Sequence, residues 1–171
     1  MNKRYGVVLI GCGHIGQEHI EDIYFRDNIR VVATVDTREE QARLFARRYG
    51  ADHYGTDYRP FLRLPETDIV IIATYVNTHL SILRDCLEAI QHVLCEKPAG
   101  VYTLQVRDMI AEADKHPELT FGMMFNQRTN CVYRKAKELI DSGALGEIKR
   151  MIWVVTDWYR TQSYYDAGAW R

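Results

Sequence analysis

The 171-residue sequence lacks a bias of charge: 22 Lys and Arg stand against 23 Asp and Glu, for a formal net charge of −1. Composition therefore gives no case for nucleic acid or an anionic membrane surface as partner. Cysteine is scarce. Cys12, Cys86, Cys95 and Cys131 form no C-x-x-C pair and hold no metal-ligand spacing to histidine. Neither a disulfide framework nor a bound metal is expected, and a reducing, cytoplasmic setting is. Long apolar runs are missing too. The opening MNKRYGVVLIG starts basic, but its apolar run soon stops at glycine, too short for a signal peptide or membrane span. Internal repeats and low-complexity stretches are absent.

What is present is an alternation. Hydrophobic residues make up 47% of the chain, enough for a packed core. A short apolar run at 5–10 leads through GCGHIG to a helical pattern carrying Ile20, Ile23 and Tyr24. IRVVATV at 29–35 reads as a strand, and Thr37 with Glu40 makes a capping box for a helix with Ala42, Phe45, Ala46 and Tyr49 on one face. The stretch 51–65 is less regular and carries two prolines. Strands are expected at DIVIIA (68–73), HVLC (92–95) and LTFGMMF (119–125), with helical patterns after the first two. Strands apolar on both faces, alternating with helices, predict an α/β fold: a doubly wound parallel sheet of the Rossmann kind over 1–124. After Phe125 the character changes. A helix ends near Ser142 and Gly143, and IKRMIWVVTDWY at 148–159 predicts a long strand opening a second α/β domain, 125–171, incomplete here.

The glycine loop Gly11-Cys12-Gly13-His14-Ile15-Gly16 fits G-x-G-x-x-G, follows a strand and opens a helix. Asp36 stands at the end of the next strand, where a carboxylate binds an adenosine ribose. Glycines allow the tight turn and the approach of a pyrophosphate, and the helix start offers free N–H groups to it. Asp36 repels a 2′-phosphate and favours NAD, while Arg38 beside Thr37 leaves NADP open. A plainer reading makes Asp36 a helix-entry turn residue.

With these motifs in place, the chain resembles the Gfo/Idh/MocA oxidoreductases, named for glucose–fructose oxidoreductase and inositol dehydrogenase. The resemblance rests on GCGHIG (11–16), ATYVNTHL (73–80), CEKPAG (95–100) and FNQR (125–128), and DWYRTQSYYDAGAWR (157–171) is similar to members acting on sugars or nucleotide sugars. It implies a dehydrogenase that moves a hydride between a secondary alcohol of a sugar, nucleotide sugar or cyclitol and a nicotinamide. Lys97 matches the lysine near the substrate hydroxyl and the nicotinamide. Thr74, Tyr75, Asn77, His79, Glu96 and Asn126 match positions on the nicotinamide side of the cofactor. Tyr159, Arg160, Tyr164, Tyr165, Trp170 and Arg171 fall where substrate or cofactor contacts are often supplied. A homo-oligomer through the second sheet is also implied. Family members continue into a glycine-rich segment with an acid and a histidine, which this sequence does not reach; NAD binding with little turnover is the expectation for the chain alone.

Alcohol oxidation needs a hydride acceptor and a group that takes the hydroxyl proton. Free lysine, titrating at about 10.4, is a poor base at neutral pH. Either burial and nearby positive charge lower it, or Lys97 stays charged and orients the hydroxyl. Pro98 steers Lys97 away from helical angles, and a cis Lys97–Pro98 bond is expected from the resemblance. Plainer readings exist: Glu96 and Lys97 as a solvated loop pair, His79 as a helix-start residue satisfied by backbone, and the late aromatics as sheet packing. Besides a shortened dehydrogenase, two readings stay open: a stand-alone, non-catalytic dinucleotide-binding module or inactive partner subunit, and a remnant serving association.

Overall fold

The computed structural model describes residues 3–156 and 159–166, and the chain divides into two compact units, Met1–Asn126 and Gln127–Arg171. In the first, β1 (Tyr5–Ile10), β2 (Ile29–Val35), β3 (His53–Gly55), β4 (Ile69–Ile72), β5 (His92–Cys95) and β6 (Phe121–Met123) form one sheet in the order β3-β2-β1-β4-β5-β6. Every pairing is parallel, with one register shift between Val7 and Val8. The expected doubly wound sheet is what the chain forms. Order reverses between β1 and β4, and such a switch point opens a crevice at the carboxyl ends of the strands.

Strand side chains alternate between two covered faces. Val7 and Leu9 pack with Ile20 of α1 (His14–Ile23) and with Phe45 and Tyr49 of α2 (Glu39–Tyr49). Val8 and Ile10 turn the other way, into a cluster with Leu62 of α3 (Arg59–Leu62), Leu83 and Leu87 of α4 (His79–Glu88) and Met109 of α5 (Thr103–Ala113). Leu9, Ile20, Ile72 and Leu83 are fully enclosed, each contributing roughly 1.5–3 kcal/mol by leaving water.

Three local expectations need correction. The irregular stretch 51–65 contains edge strand β3 and helix α3. Three ladder residues are too few to show a period, and Pro60 sits in the first turn of the helix. Thr37 does not cap α2. Asp36 Oδ1 instead accepts the Arg38 backbone N–H at 2.9 Å, so the helix begins one residue later, with Glu39 and Glu40 in its first turn. Gly50, in the left-handed region at φ 68°, closes that helix as anticipated.

The third correction lies in the second unit. It holds α6 (Cys131–Asp141), capped by Asn130 Oδ1 accepting from the Val132 N–H, and α7 (Gln162–Asp166). The long strand expected at 148–159 does not form among the described residues: Met151, Ile152 and Val154 are about three-quarters exposed. The β-branched composition favours an extended chain, but a strand exists only against a ladder partner, and no described segment pairs with this one.

Candidate active site

The phosphate end of the crevice is built from backbone. Gly11 has φ 99°, and a Cβ there would strike the Ala73 carbonyl oxygen, so only glycine holds this turn. At Gly16 a Cβ would land on the Gly11 carbonyl oxygen, so the helix packs tightly under the loop. At Gly13 a Cβ would meet nothing within 4 Å. The middle glycine therefore faces open space, and it stands at the start of α1, whose first N–H groups have no side-chain cap. His14 and Ile15 are exposed beside it. This is a cradle shaped for a pyrophosphate.

Asp36 stands at the next strand end with both oxygens engaged. Oδ2 accepts the Cys12 N–H at 3.0 Å, Oδ1 accepts that of Arg38, and the Arg38 guanidinium lies 3.6 Å away. The ribose reading and the turn reading of Asp36 are thus compatible: the bonds to Cys12 and Arg38 fix the carboxylate in place. Gln41 Nε2 donates to the Cys12 carbonyl at 2.9 Å and ties α2 to the glycine loop. Sequence reasoning missed Gln41, although its position on the loop-facing side of α2 was available. Burial beside Asp36 pushes the Cys12 thiol up to about 12, so it stays protonated and inert.

The other end is built from side chains. Thr74 follows β4, its hydroxyl 2.8 Å from that of Thr78, while Tyr75 and Asn77 are exposed on the short turn before α4. His79 opens α4 fully buried, with Nδ1 3.1 Å from the Pro98 carbonyl oxygen and Nε2 3.1 Å from that of Thr74. A neutral ring donates to one of them, and with the proton on Nδ1 His79 ties the start of α4 to the β5 loop. The Lys97–Pro98 bond is cis, as expected.

Glu96 is buried at 8% exposure. Oε1 lies 2.8 Å from Nε2 of His19 on α1, and Oε2 accepts the Lys97 N–H at 3.0 Å. Burial alone pushes the carboxyl up, but the bonds from His19 and the Lys97 amide outweigh it and hold Glu96 below the usual carboxylate range. Glu96 is ionised at neutral pH, so His19 Nε2 must be the donor. Glu96 and Lys97 are therefore not a solvated pair. Lys97 alone is exposed, while Glu96 belongs to the interior. His19 was missed because its partner is 77 residues away.

Asn126 comes just after β6 and is exposed. Tyr159, Arg160, Tyr164 and Tyr165 belong to the second unit. There the Arg160 guanidinium sits 4.2 Å from the Tyr164 ring centre, and the Tyr164 and Tyr165 rings meet edge to face. Trp170 and Arg171 lie outside the described residues. Among the described residues no cluster of acidic, histidine or cysteine side chains is arranged to hold a metal ion. No helix of the described chain is long and apolar enough to cross a membrane.

A parallel sheet in this order, with an open glycine cradle at the first strand end and an acid at the second, defines the dinucleotide-binding Rossmann class. The sequence pattern of the Gfo/Idh/MocA oxidoreductase family, with its NAD-binding Rossmann fold, matches residues 5–123, and the chain belongs to that family. Myo-inositol 2-dehydrogenase of Thermotoga maritima is 32% identical over 84% of this chain and 42% of its own length. The crystal structure of myo-inositol 2-dehydrogenase from Lactobacillus plantarum superposes with a TM-score of 0.78 at 25% identity, over 85% of this chain and 43% of that one. Scyllo-inositol dehydrogenase from Lactobacillus casei, solved with NAD(H) and scyllo-inositol, shares the fold at a TM-score of 0.79 and 24% identity, over 85% and 43% of the two chains. The chain thus spans under half the length of these relatives.

Proposed function

We propose that this chain supplies the dinucleotide site and the reactive lysine of an NAD-dependent dehydrogenase acting on a secondary alcohol of a sugar or cyclitol. The observation that carries the reading is Lys97. It is exposed at the carboxyl end of β5, on a corner fixed by buried groups, in the same crevice edge as an open glycine cradle. A bound nicotinamide supplies the acceptor for the hydride. Backbone N–H groups at 13–16 hold the pyrophosphate and Asp36 holds the adenosine ribose. Thr74, Tyr75, Asn77 and Asn126 line the approach to the nicotinamide side, with Glu96 and His79 acting from beneath. Lys97 Nζ binds the substrate hydroxyl and, in its neutral form, takes the hydroxyl proton as the alcohol carbon gives its hydride to the nicotinamide, then releases that proton to solvent. The carboxylate of Asp36 disfavours a 2′-phosphate and supports NAD over NADP.

The relatives support the substrate class. The Thermotoga maritima protein is a myo-inositol 2-dehydrogenase, and the Lactobacillus casei enzyme was solved with scyllo-inositol. We read residues from 125 onward as the start of a domain for substrate binding and self-association, with Tyr159, Arg160, Tyr165, Trp170 and Arg171 as its candidate substrate contacts. A second reading, a dinucleotide-binding module without turnover, rests on the phosphate end, which is built from backbone and does not need Lys97.

Fluorescence titration of the chain with NADH and NADPH tests the site. Binding of NADH in the range of roughly 1–100 μM is expected, unchanged by Lys97→Ala. No binding at millimolar NADH overturns both readings. Absorbance at 340 nm with NAD and a panel of inositols and aldoses then separates them. Turnover by the intact gene product that Lys97→Ala abolishes supports the dehydrogenase, and binding without turnover on any polyol supports the module.

A further inference from the structure

Lys97 sits between two histidine-anchored neighbours. Its own amide is held by Glu96, whose other carboxylate oxygen faces His19 at 2.8 Å, and the carbonyl of Pro98 faces His79 at 3.1 Å. Both histidines are at least nine-tenths buried, so neither meets substrate. Their positions differ. His79 opens the helix after β4, whereas His19 lies on α1, the helix whose amino end forms the phosphate cradle.

We propose that His19 is a positioning residue that couples nucleotide docking at the amino end of α1 to the placement of Lys97, through the buried hydrogen bond to Glu96. The inference rests on the reading of the cradle as a nucleotide site and of Lys97 as the residue that meets the substrate hydroxyl.

The physical case has three parts. An α-helix is stiff over one or two turns, so a shift of its first turn is carried to His19. The carboxylate it meets is desolvated, which makes the bond charge-assisted, short and directional. The same carboxylate ends on the Lys97 N–H, so one buried group joins helix and corner. A buried acid left without its partner is costly, so Glu96 follows wherever His19 goes. A buried pair of this kind needs no such arrangement merely to fill space. The neighbouring sheet is packed with aliphatic side chains.

The test uses the isotope-labelled chain, observing amide resonances and hydrogen exchange with and without NADH. Four proteins are compared: wild type, His19→Gln, which can still donate to Glu96, His19→Phe, which cannot, and Tyr58→Phe, which deletes the Tyr58–Asp85 hydrogen bond elsewhere. In wild type, NADH is expected to shift the Lys97 amide. His19→Phe should abolish that shift and speed Lys97 exchange by about tenfold or more, with the Leu9 and Ile71 amides unchanged and NADH affinity within about threefold. His19→Gln and Tyr58→Phe should behave as wild type. The proposal is overturned if His19→Phe leaves Lys97 exchange and the shift intact, or if His19→Gln loses them as fully as His19→Phe does. Should His19→Phe not fold, His19→Leu, which likewise cannot donate to Glu96, carries its expectation. Should neither fold, His19→Gln decides alone, and loss of the shift there overturns the proposal. A wild-type chain that leaves NADH unbound sinks the dehydrogenase reading and the coupling with it; the exchange comparison without nucleotide then shows whether His19 holds the corner at all.

Discussion

The two ends of the crevice are made from different materials. At the carboxyl end of β1 the structure uses the main chain: three glycines, each with its own steric role, and a run of free helix N–H groups. At the ends of β4 and β5 it uses side chains, with His79, Glu96 and His19 buried so that one lysine can be exposed. The first end binds by shape, and its tolerance is set by the space around each Cα. The second depends on matched donors and acceptors, and fails when one partner is lost.

Within the glycine loop the contrast can be broken at single positions, and the largest effects are expected there. In Gly16→Ala the new methyl falls on the Gly11 carbonyl oxygen, so thermal melting should drop by about 10 °C or more and NADH binding should vanish. Gly13→Ala adds a methyl into open space. Its melting temperature should stay within about 2 °C of wild type, yet NADH should bind about tenfold or more weakly, because only the ligand needs that space. Circular dichroism melts with fluorescence titrations separate the two outcomes, and equal melting losses would count against the cradle.

The side-chain end should respond next. His79→Leu keeps a similar bulk but leaves whichever of the Thr74 and Pro98 carbonyls His79 serves without its donor. Urea unfolding should show a loss of about 2–4 kcal/mol. A neutral result would mean that the start of α4 and the β5 loop do not need His79 to stay together.

Asp36 bridges the two strategies, since a side chain here fixes a backbone loop. Asp36→Asn keeps an acceptor for Cys12 or Arg38 but removes the charge. The ratio of NADPH to NADH affinity should rise about tenfold, with Arg38 free to meet a 2′-phosphate. An unchanged ratio in paired titrations would remove Asp36 as the discriminating residue.

The smallest effect concerns acid. Glu96 is held below its ordinary range in the folded chain, and unfolded glutamate titrates at about 4.3. Its contribution to stability is therefore complete above that value and is lost as pH falls through the lower, folded value. Asp68 is lowered as well, against its own burial, by the Lys3 ammonium and the Gly6 amide. The useful quantity is therefore the difference between wild type and Glu96→Gln. Urea stability measured between pH 6 and 3 should fall less steeply in the variant, and parallel curves would deny Glu96 its ionised role.

Legibility in the sequence followed the same division. G-x-G-x-x-G, the acid after the second strand and the two-faced apolar strands are local patterns, so the parallel sheet and the phosphate end were readable. Lys97 and Pro98 were readable as a corner from the strand before them and the proline, but the lysine's role and the cis bond only through family resemblance. His19 was invisible because hydrogen bonds across 77 residues leave no spacing to detect. His79 was noticed, and of its two readings the backbone-satisfied one describes its ring. The short strand β3 was hidden by having three residues, and the stretch 148–156 misled because β-branched composition signals extension without supplying a partner.

The histidine clasps on either side of Lys97 also divide its motion. Buried groups meet the main chain at both neighbours, while Lys97 itself is exposed. Nuclear relaxation should find the Lys97 amide near the rigid limit, with an order parameter of about 0.85, and the side-chain tip disordered on the picosecond-to-nanosecond scale. The lysine is then a fixed mast with a free-swinging end. If Lys97 meets a substrate hydroxyl as proposed, such a corner would serve alcohols whose hydroxyls sit at slightly different depths, with the entropy lost on catching each confined to a single side chain.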